Sequence, residues 1–338
     1  MSPTPSAPNA APRTLPTLPG QADRLLRELE WKVIRRLDGL LQGDYRTLMR
    51  GAGLDLADLR EYQPHDDVRH IDWNVTARLS IPHVRVFTED REMSAWFLLD
   101  LSPSINFGPQ GNAKRDILTG FVAVLSRLLT RHGNRVGAML YGAGNAADRA
   151  VDTVLPPRSS RAHVLHLVHR LLAPPAPAHG KAPQGGATEL HRLLQTGLAN
   201  LRRRSTVFVV SDFISAPGWE KPLAQLAQRH DVVAVRLLDP LELELPDVGL
   251  VTLRDAESGE QLQVDTHDAG FRHRFARLAA QREAVLREGL AKAGADALEL
   301  CTDDDLVDAL LRFMDMRQRR VRRPPTPSLP WASVPVAA

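Results

Sequence analysis

Apolar residues along this chain fall into two rhythms. From Gln21 to Gln42 the positions Leu25, Leu26, Leu29, Val33, Ile34, Leu37 and Leu41 recur at steps of three and four. That spacing predicts a helix with one buried face. Beyond Arg91, short runs that are apolar throughout alternate with longer segments of helical period. Ala95–Leu99, Arg135–Tyr141, Ser205–Val210 and Val232–Leu238 read as strands. Lys114–His132, Ser160–Leu172, Glu189–Arg203 and Trp219–Arg229 read as helices, the second of them capped by Ser159 or Ser160. Val151–Leu155 reads as a short edge strand ended by Pro156-Pro157. Leu250–Val264 then has the form of a hairpin turning at Ser258-Gly259. It is followed by a long helix over Arg272–Ala293, a strand over Ala297–Cys301 and a last helix over Asp304–Arg317, capped by Thr302 or Asp303.

Strands that are apolar on both faces and separated by helices imply a parallel sheet covered on both sides. The expected fold class is therefore α/β, a doubly wound, mostly parallel sheet of Rossmann type spanning residues 91–322. An N-terminal helix and a β-rich segment, 21–90, precede it. Within that segment Arg60–Phe87 mixes charge with aromatic and β-branched residues and is punctuated by Pro64 and Pro82. Residues 1–20 and 323–338 carry Pro and Ala with no apolar period and are expected to be a disordered leader and tail.

Composition narrows the function classes. At 338 residues, 43% hydrophobic and 25% charged, the chain has the make-up of a globular protein rather than a disordered or fibrous one. Its 43 Lys+Arg against 40 Asp+Glu leave a net charge of +3, too small an excess for an electrostatic nucleic-acid binder. A single cysteine, Cys301, excludes an internal disulfide and a Cys-based zinc site. No apolar run approaches the roughly 20 residues of a membrane span, and Met1–Gly20 has no secretory pattern. The expected location is the cytoplasm. No Gly-x-x-x-x-Gly-Lys-Ser/Thr phosphate loop is present, so any use of ATP would fall to a partner.

The candidate chemistry lies at strand ends. The first apolar strand runs into Asp100-Leu101-Ser102-Pro103-Ser104, and open parallel sheets bind ligands beyond the carboxyl ends of their strands. Thr188 follows Gly185-Gly186-Ala187 just before a helix, and Asp212 follows the strand Val207–Ser211. Asp100, Ser102, Ser104, Thr188 and Asp212 are five oxygen donors with no Cys or His among them. That set suits a hard divalent cation, Mg²⁺ or Mn²⁺, with one position left to an outside group. Elsewhere, Arg60, Asp67, Arg69 and Asp72 are expected to form an ion-pair network, with Tyr62 and Trp73 as packing anchors. His163, His166 and His169 mark a partly exposed helix rather than a ligand set.

The order Asp-x-Ser-x-Ser, then Thr188, then Asp212 on this α/β pattern resembles the metal-ion-dependent adhesion site (MIDAS) of von Willebrand factor A domains. The block Arg60 to Asn74, with Ala77-Arg78 and His83 to Phe87, resembles the signature of the DUF58 family. That resemblance continues through Lys114-Arg115, Val209 to Phe213, Asp239-Pro240 and Gly259-Glu260, and so covers nearly the whole structured chain. The family usually has Gly where His65 stands, and it lacks Ala187 before the threonine. The resemblance implies a von Willebrand factor A-like domain acting as a non-enzymatic, metal-dependent protein-binding adaptor. Its partners would be a protein offering an Asp or Glu to the metal and a MoxR-type AAA+ ATPase engaged in protein maturation or remodelling. Ser102 and Ser104 would ligate directly, Asp100 and Asp212 through water, and Thr188 would switch. A hydrolase or phosphatase using Asp100 as nucleophile is an alternative, although Ser102 stands where such a mechanism usually has a second acid. A scaffold with a vestigial metal site is another.

Overall fold

In a computed structural model, which describes residues 20–34, 58–63, 68, 71–86, 94–108, 113–142, 151–173, 188–257 and 259–322, the central element is a six-stranded sheet. Its strands are β3 (Ser94–Asp100), β4 (Arg135–Tyr141), β5 (Val151–Arg158), β6 (Thr206–Ser211), β7 (Asp231–Leu238) and β10 (Asp296–Cys301). Their spatial order is β10-β7-β6-β3-β4-β5. All neighbours are parallel except β5, which runs antiparallel to β4. Two small antiparallel ribbons stand apart from this sheet. One pairs β1 (Asp58–Glu61) with β2 (His83–Val86), and the other pairs β8 (Leu250–Arg254) with β9 (Gln261–Asp265).

The period of two along each strand sends alternate residues to opposite faces. Phe97 and Leu99 of β3 join Phe208, Val210, Val233 and Val235 in one core, and Trp96 and Leu98 join Val207, Val209, Val232 and Ala234 in another. The first core is closed by α3 (Lys114–Arg131), α4 (Arg161–Leu172) and α8 (Leu306–Arg322), which bring in Phe121, Leu167, Leu171 and Leu310. At its centre Phe97 stacks on Phe208 with centroids 5.2 Å apart, and Phe121 meets both edge-on. The second core is closed by α5 (Leu190–Asn200), α6 (Glu220–Arg229) and α7 (Ala269–Ala293) through Leu193, Leu194, Leu223, Leu226 and Leu290. The expected α/β, mostly parallel, doubly wound sheet is therefore present.

Several local expectations are corrected. The helix expected over Gln21–Gln42 is α-helical only over α1 (Gln21–Leu29). Its next turn, Glu30–Ile34, widens to π geometry, and residues 35–42 lie outside the described residues. Ala22 and Leu26 of α1 pack against Ala123, Val164 and Val168 of the outer helices. β5 does not stop before Pro156-Pro157 but runs through them to Arg158. It lies at the edge of the sheet, where prolines need no ladder partner on their open side. The register against β4 moves from Val136↔Arg158 to Ala138↔Leu155, so one extra residue bulges at the proline pair. The last helix is capped by Asp305, whose carboxylate accepts from the Val307 and Asp308 amides, and not by Thr302 or Asp303. The Thr302 hydroxyl instead donates to Asp239 at 2.8 Å.

The charged N-terminal block is described only in part, since Asp67, Arg69 and the side chain of Arg60 lie outside the described residues. Asp72 caps the short helix α2 (Trp73–Leu79) by accepting from the Asn74 and Val75 amides. Trp73, expected as a packing anchor, is 70% exposed. As the first residue of α2 it is carried on the outer side of the turn. His163 is buried against the Val136 carbonyl, while His166 and His169 face outward, so no histidine ligand set exists there.

Candidate metal site at the carboxyl ends of β3 and β6

The sheet order fixes where a ligand can sit. After β3 the chain moves outward to β4 and β5, and it then returns to the other side of β3 to lay down β6, β7 and β10. β3 and β6 therefore diverge at a topological switch point, where a crevice opens beyond the carboxyl ends. Asp100 is the last residue of β3, and Asp212 follows the last residue of β6.

The loop after β3 is built to stay tight. The Leu101 amide donates to the Tyr141 carbonyl at 2.8 Å, extending the β3–β4 pairing by one bond. The Ser102 amide turns back to Asp100 Oδ1 at 3.0 Å, and Pro103–Asn106 form one 3₁₀ turn. Gly142, at φ +77°, lets β4 end against this loop, since a Cβ there would lie 3.2 Å from the Ser102 nitrogen. In consequence the Ser102 and Ser104 hydroxyls lie 3.1 Å apart.

The other donors arrive from distant segments. Thr188 is positioned by two backbone ties. Its carbonyl accepts from the Ala216 amide at 2.8 Å, and the following Glu189 amide donates to the Tyr141 hydroxyl at 3.0 Å. Ser211 donates to Asp100 Oδ2 at 2.7 Å and accepts from the Phe213 amide at 3.0 Å. Phe213 adopts φ +59°, a left-handed conformation that a bulky residue takes only when its surroundings hold it. Here the holding contacts are the Ser211 hydroxyl and the Trp219 ring, 5.3 Å away edge-on. Asp212 Oδ1 accepts from the Ile214 amide at 3.0 Å, closing the turn.

Asp100, Ser102, Thr188 and Asp212 are all buried, from 0% to 3% exposed. Burial and the nearby Asp212 charge push the Asp100 carboxyl up to about 6. Two carboxylates thus compete for one dry space. Lys114, the first residue of α3 and fully buried, points its ammonium into that space. Its Nζ lies 3.1 Å from Asp212 Oδ2 and 2.5 Å from Glu242 Oε1. The Glu242 carboxyl nevertheless lies above the usual carboxylate range, because its burial outweighs the Lys114 charge.

Glu257 completes the group. It lies in the turn between β8 and β9, and its Oε1 accepts from the Thr188 hydroxyl at 2.9 Å and from the Ser104 amide at 3.4 Å. The five residues singled out from the sequence are thus gathered in one place, Thr188 and Ser104 meeting through this sixth. Among the described residues no group of three or more His, Cys, Asp or Glu is spaced to hold a metal, so the convergence is of hydroxyls with acids behind them. Sequence reasoning missed Ser211, Glu242, Glu257 and the role of Lys114. Lys114 and Ser211 lie in stretches that had drawn notice, and Glu257 sits two residues before the Gly259-Glu260 pair. Nothing in spacing alone connects a hairpin 153 residues away to Ser104.

Comparison with known proteins agrees with the sequence pattern. An uncharacterized protein of Mycobacterium tuberculosis is 39% identical over 294 residues, covering 87% of this chain and 89% of the relative. An uncharacterized protein of Mycobacterium bovis matches to the same extent, and one of Mycobacterium avium is 35% identical over 167 residues, 49% of this chain and 95% of the relative. Among solved structures, the conserved hypothetical protein BatB of Bacteroides thetaiotaomicron overlaps 67% of this chain and 99% of its own at 11% identity and a TM-score of 0.41, a likeness too slight to bear on function. The family model described as "Protein of unknown function DUF58" matches residues 58–285, from β1 into α7. The chain therefore belongs to the DUF58 family.

Proposed function

We propose that this chain is a metal-dependent protein-binding adaptor of von Willebrand factor A type, working in the cytoplasm. Asp100, Ser102, Ser104, Thr188 and Asp212 would hold Mg²⁺ or Mn²⁺ at a MIDAS-like site. The observation that carries the reading is the convergence of these five oxygen-bearing side chains, from three separate segments, at the switch point of the sheet. Their chemistry fits a hard cation. So does the charge, for Asp212 and Glu242 share the Lys114 ammonium while the buried Asp100 carboxyl lies beside Asp212. When bound, such an ion supplies a concentrated positive charge that attracts an acidic side chain.

The protein's own groups do the rest. Asp100 braces the loop through the Ser102 amide and the Ser211 hydroxyl, and so fixes where the two serine hydroxyls stand. Lys114 holds Asp212 in place and offsets part of its charge. The buried walls exclude water, which strengthens any charged contact made there. Asp100 is a poor nucleophile in this setting, because it is fully buried and both carboxylate oxygens already accept hydrogen bonds. The Ser102 and Ser104 hydroxyls bond to each other rather than to a general base. A binding role therefore suits the geometry better than hydrolysis. The ATP-driven step falls to a partner, for which the family resemblance points to a MoxR-type AAA+ ATPase.

The test is retention of partner proteins on the immobilised chain with Mg²⁺ and then with chelator. The adaptor reading expects partners that elute when Mg²⁺ is removed and that a Ser102→Ala/Ser104→Ala variant fails to retain. Identical retention in chelator would overturn it. Metal-dependent hydrolysis of a generic phosphoester, abolished by Asp100→Ala, would favour the enzyme instead.

A further inference from the structure

Glu257 is a carboxylate supplied by the chain itself at the place where the proposed function seats a partner's carboxylate. We propose that Glu257 is an internal ligand of the site, so that the β8–β9 hairpin closes it and an acidic partner binds by displacing the hairpin tip. This inference rests on the metal-binding reading for its ligand class, while the closure itself rests on contacts present without any ion.

Three observations support it. First, the Glu257 carboxylate touches two of the proposed site residues. Oε1 takes the Thr188 hydroxyl at 2.9 Å and the Ser104 amide at 3.4 Å. Second, the turn is shaped to present that side chain. The Glu257 amide donates to Asp255 Oδ1 at 2.9 Å, while the Asp255 amide donates to the Glu260 carbonyl and the Gly259 amide to the Asp255 carbonyl. Gly259, at φ +75°, permits the return of the chain. Third, the ribbon stands outside the main sheet and is largely exposed. Its strands pair only with each other and form no part of the six-stranded sheet. Leu250 and Leu262 are 70% and 62% exposed, and Val264 is the one well-buried residue of either strand. The base is fixed by the Thr266 hydroxyl to the Gly249 carbonyl at 2.7 Å, and the Val248 amide donates to the same hydroxyl. The hairpin is thus a two-stranded lever, anchored at its base, with the Glu257 carboxylate as a latch at its tip.

A tethered ligand competes with a free one through its effective concentration, in the millimolar range for short links. The apparent affinity for an outside carboxylate is then reduced by the fraction of time the latch is open. A partner must therefore bring contacts beyond one acidic side chain, or arrive with help that lifts the hairpin.

Two measurements on the full chain test this. In metal-free protein, hydrogen exchange is followed at the amides of Leu250–Arg254, Gln261–Asp265 and Ser104 in wild type, Glu257→Gln and Glu257→Ala. The latch predicts at least tenfold faster exchange in Glu257→Ala with the amides of β3 and β6 unchanged. Equal rates in wild type and Glu257→Ala overturn it, whatever the site binds. In Mn²⁺-loaded protein, acetate is then titrated as the probe and read by water-proton relaxation. The internal ligand predicts acetate binding at least tenfold tighter in Glu257→Ala than in wild type. Equal acetate affinity in two Mn²⁺-binding proteins contradicts the proposal. Failure of wild type and Glu257→Ala alike to bind Mn²⁺ would sink the metal reading, and with it the ligand class, leaving the exchange result to decide the latch.

Discussion

Lys114 Nζ donates to Asp212 Oδ2 at 3.1 Å with the two side chains 0% and 1% exposed. The pair links the start of α3 to the turn after β6, across 98 positions of sequence, directly behind the candidate site. A buried charge costs several kcal/mol to desolvate and is tolerated only with its partners in place. Removing the ammonium alone is therefore worse than removing it together with the two carboxylate charges it meets, Asp212 and Glu242. Lys114→Met should lower the free energy of unfolding by about 3–5 kcal/mol, and Lys114→Met/Asp212→Asn/Glu242→Gln by clearly less. Urea unfolding of the two variants measures this. A loss under about 1 kcal/mol in the single variant would mean that solvent reaches the pair.

Two glycines under the sheet should respond differently to the same substitution. At Gly137 of β4 an added Cβ would lie 2.9 Å from Trp96 Cε3 and 3.1 Å from the Leu155 carbonyl oxygen. A ring and a backbone in the bulged edge strand cannot both give way, so Gly137→Ala should cost about 1–3 kcal/mol. At Gly197 of α5 the close atom, at 2.8 Å, is the end of the Leu98 side chain. A rotamer adjustment there is offset by the better helix propensity of alanine, about 1 kcal/mol, so Gly197→Ala should lie within about 1 kcal/mol of wild type. Thermal unfolding of both variants checks the ranking, and equal losses would contradict it.

Two histidines should weaken the fold in acid, against the raised Asp100 and Glu242 carboxyls, which act in the opposite direction. Burial holds His230 below its usual value of 6.5, helped by the Arg229 and Arg204 charges. Neither of its ring nitrogens has a hydrogen-bond partner among the described residues. Burial likewise lowers His163, despite its 2.8 Å contact with the Val136 carbonyl. As pH falls through 6.5 the unfolded chain takes up protons that the folded chain resists. The unfolded state then binds more protons, and stability drops with pH. Between pH 7.5 and 5.5 the change in urea midpoint should be less favourable in wild type than in His230→Asn. An equal change in both would remove His230 as a contributor.

The fold was legible because its strands are buried on both faces. Phe97, Val209 and Val235 lie in runs that no amphipathic helix would carry, and the intervening helices show clear apolar stripes. Errors arose where local chemistry has two outlets. Pro156-Pro157 reads as a stop, yet an edge strand can absorb a proline pair as a bulge. Thr302 reads as a cap, yet its hydroxyl is taken by Asp239 and the helix starts from Asp305. The candidate site was legible as far as Asp100, Ser102, Ser104, Thr188 and Asp212, since strand ends at a switch point gather polar residues. Glu257 was not, because a hairpin tip outside the main sheet has no register to fix where it lands. Lys114 was hidden for a related reason, since a lysine opening a helix usually faces water.

The central claim is that five oxygen-bearing side chains hold a divalent cation. Its most direct measurement is the thermal unfolding of wild type and of Ser102→Ala/Thr188→Val, with and without Mg²⁺ or Mn²⁺. A ligand at 100 times its dissociation constant stabilises the native state by about 2.7 kcal/mol, so the wild-type midpoint should rise by several degrees and the variant's should not move. Identical midpoints for wild type in metal and in chelator, at millimolar ion, would contradict the account.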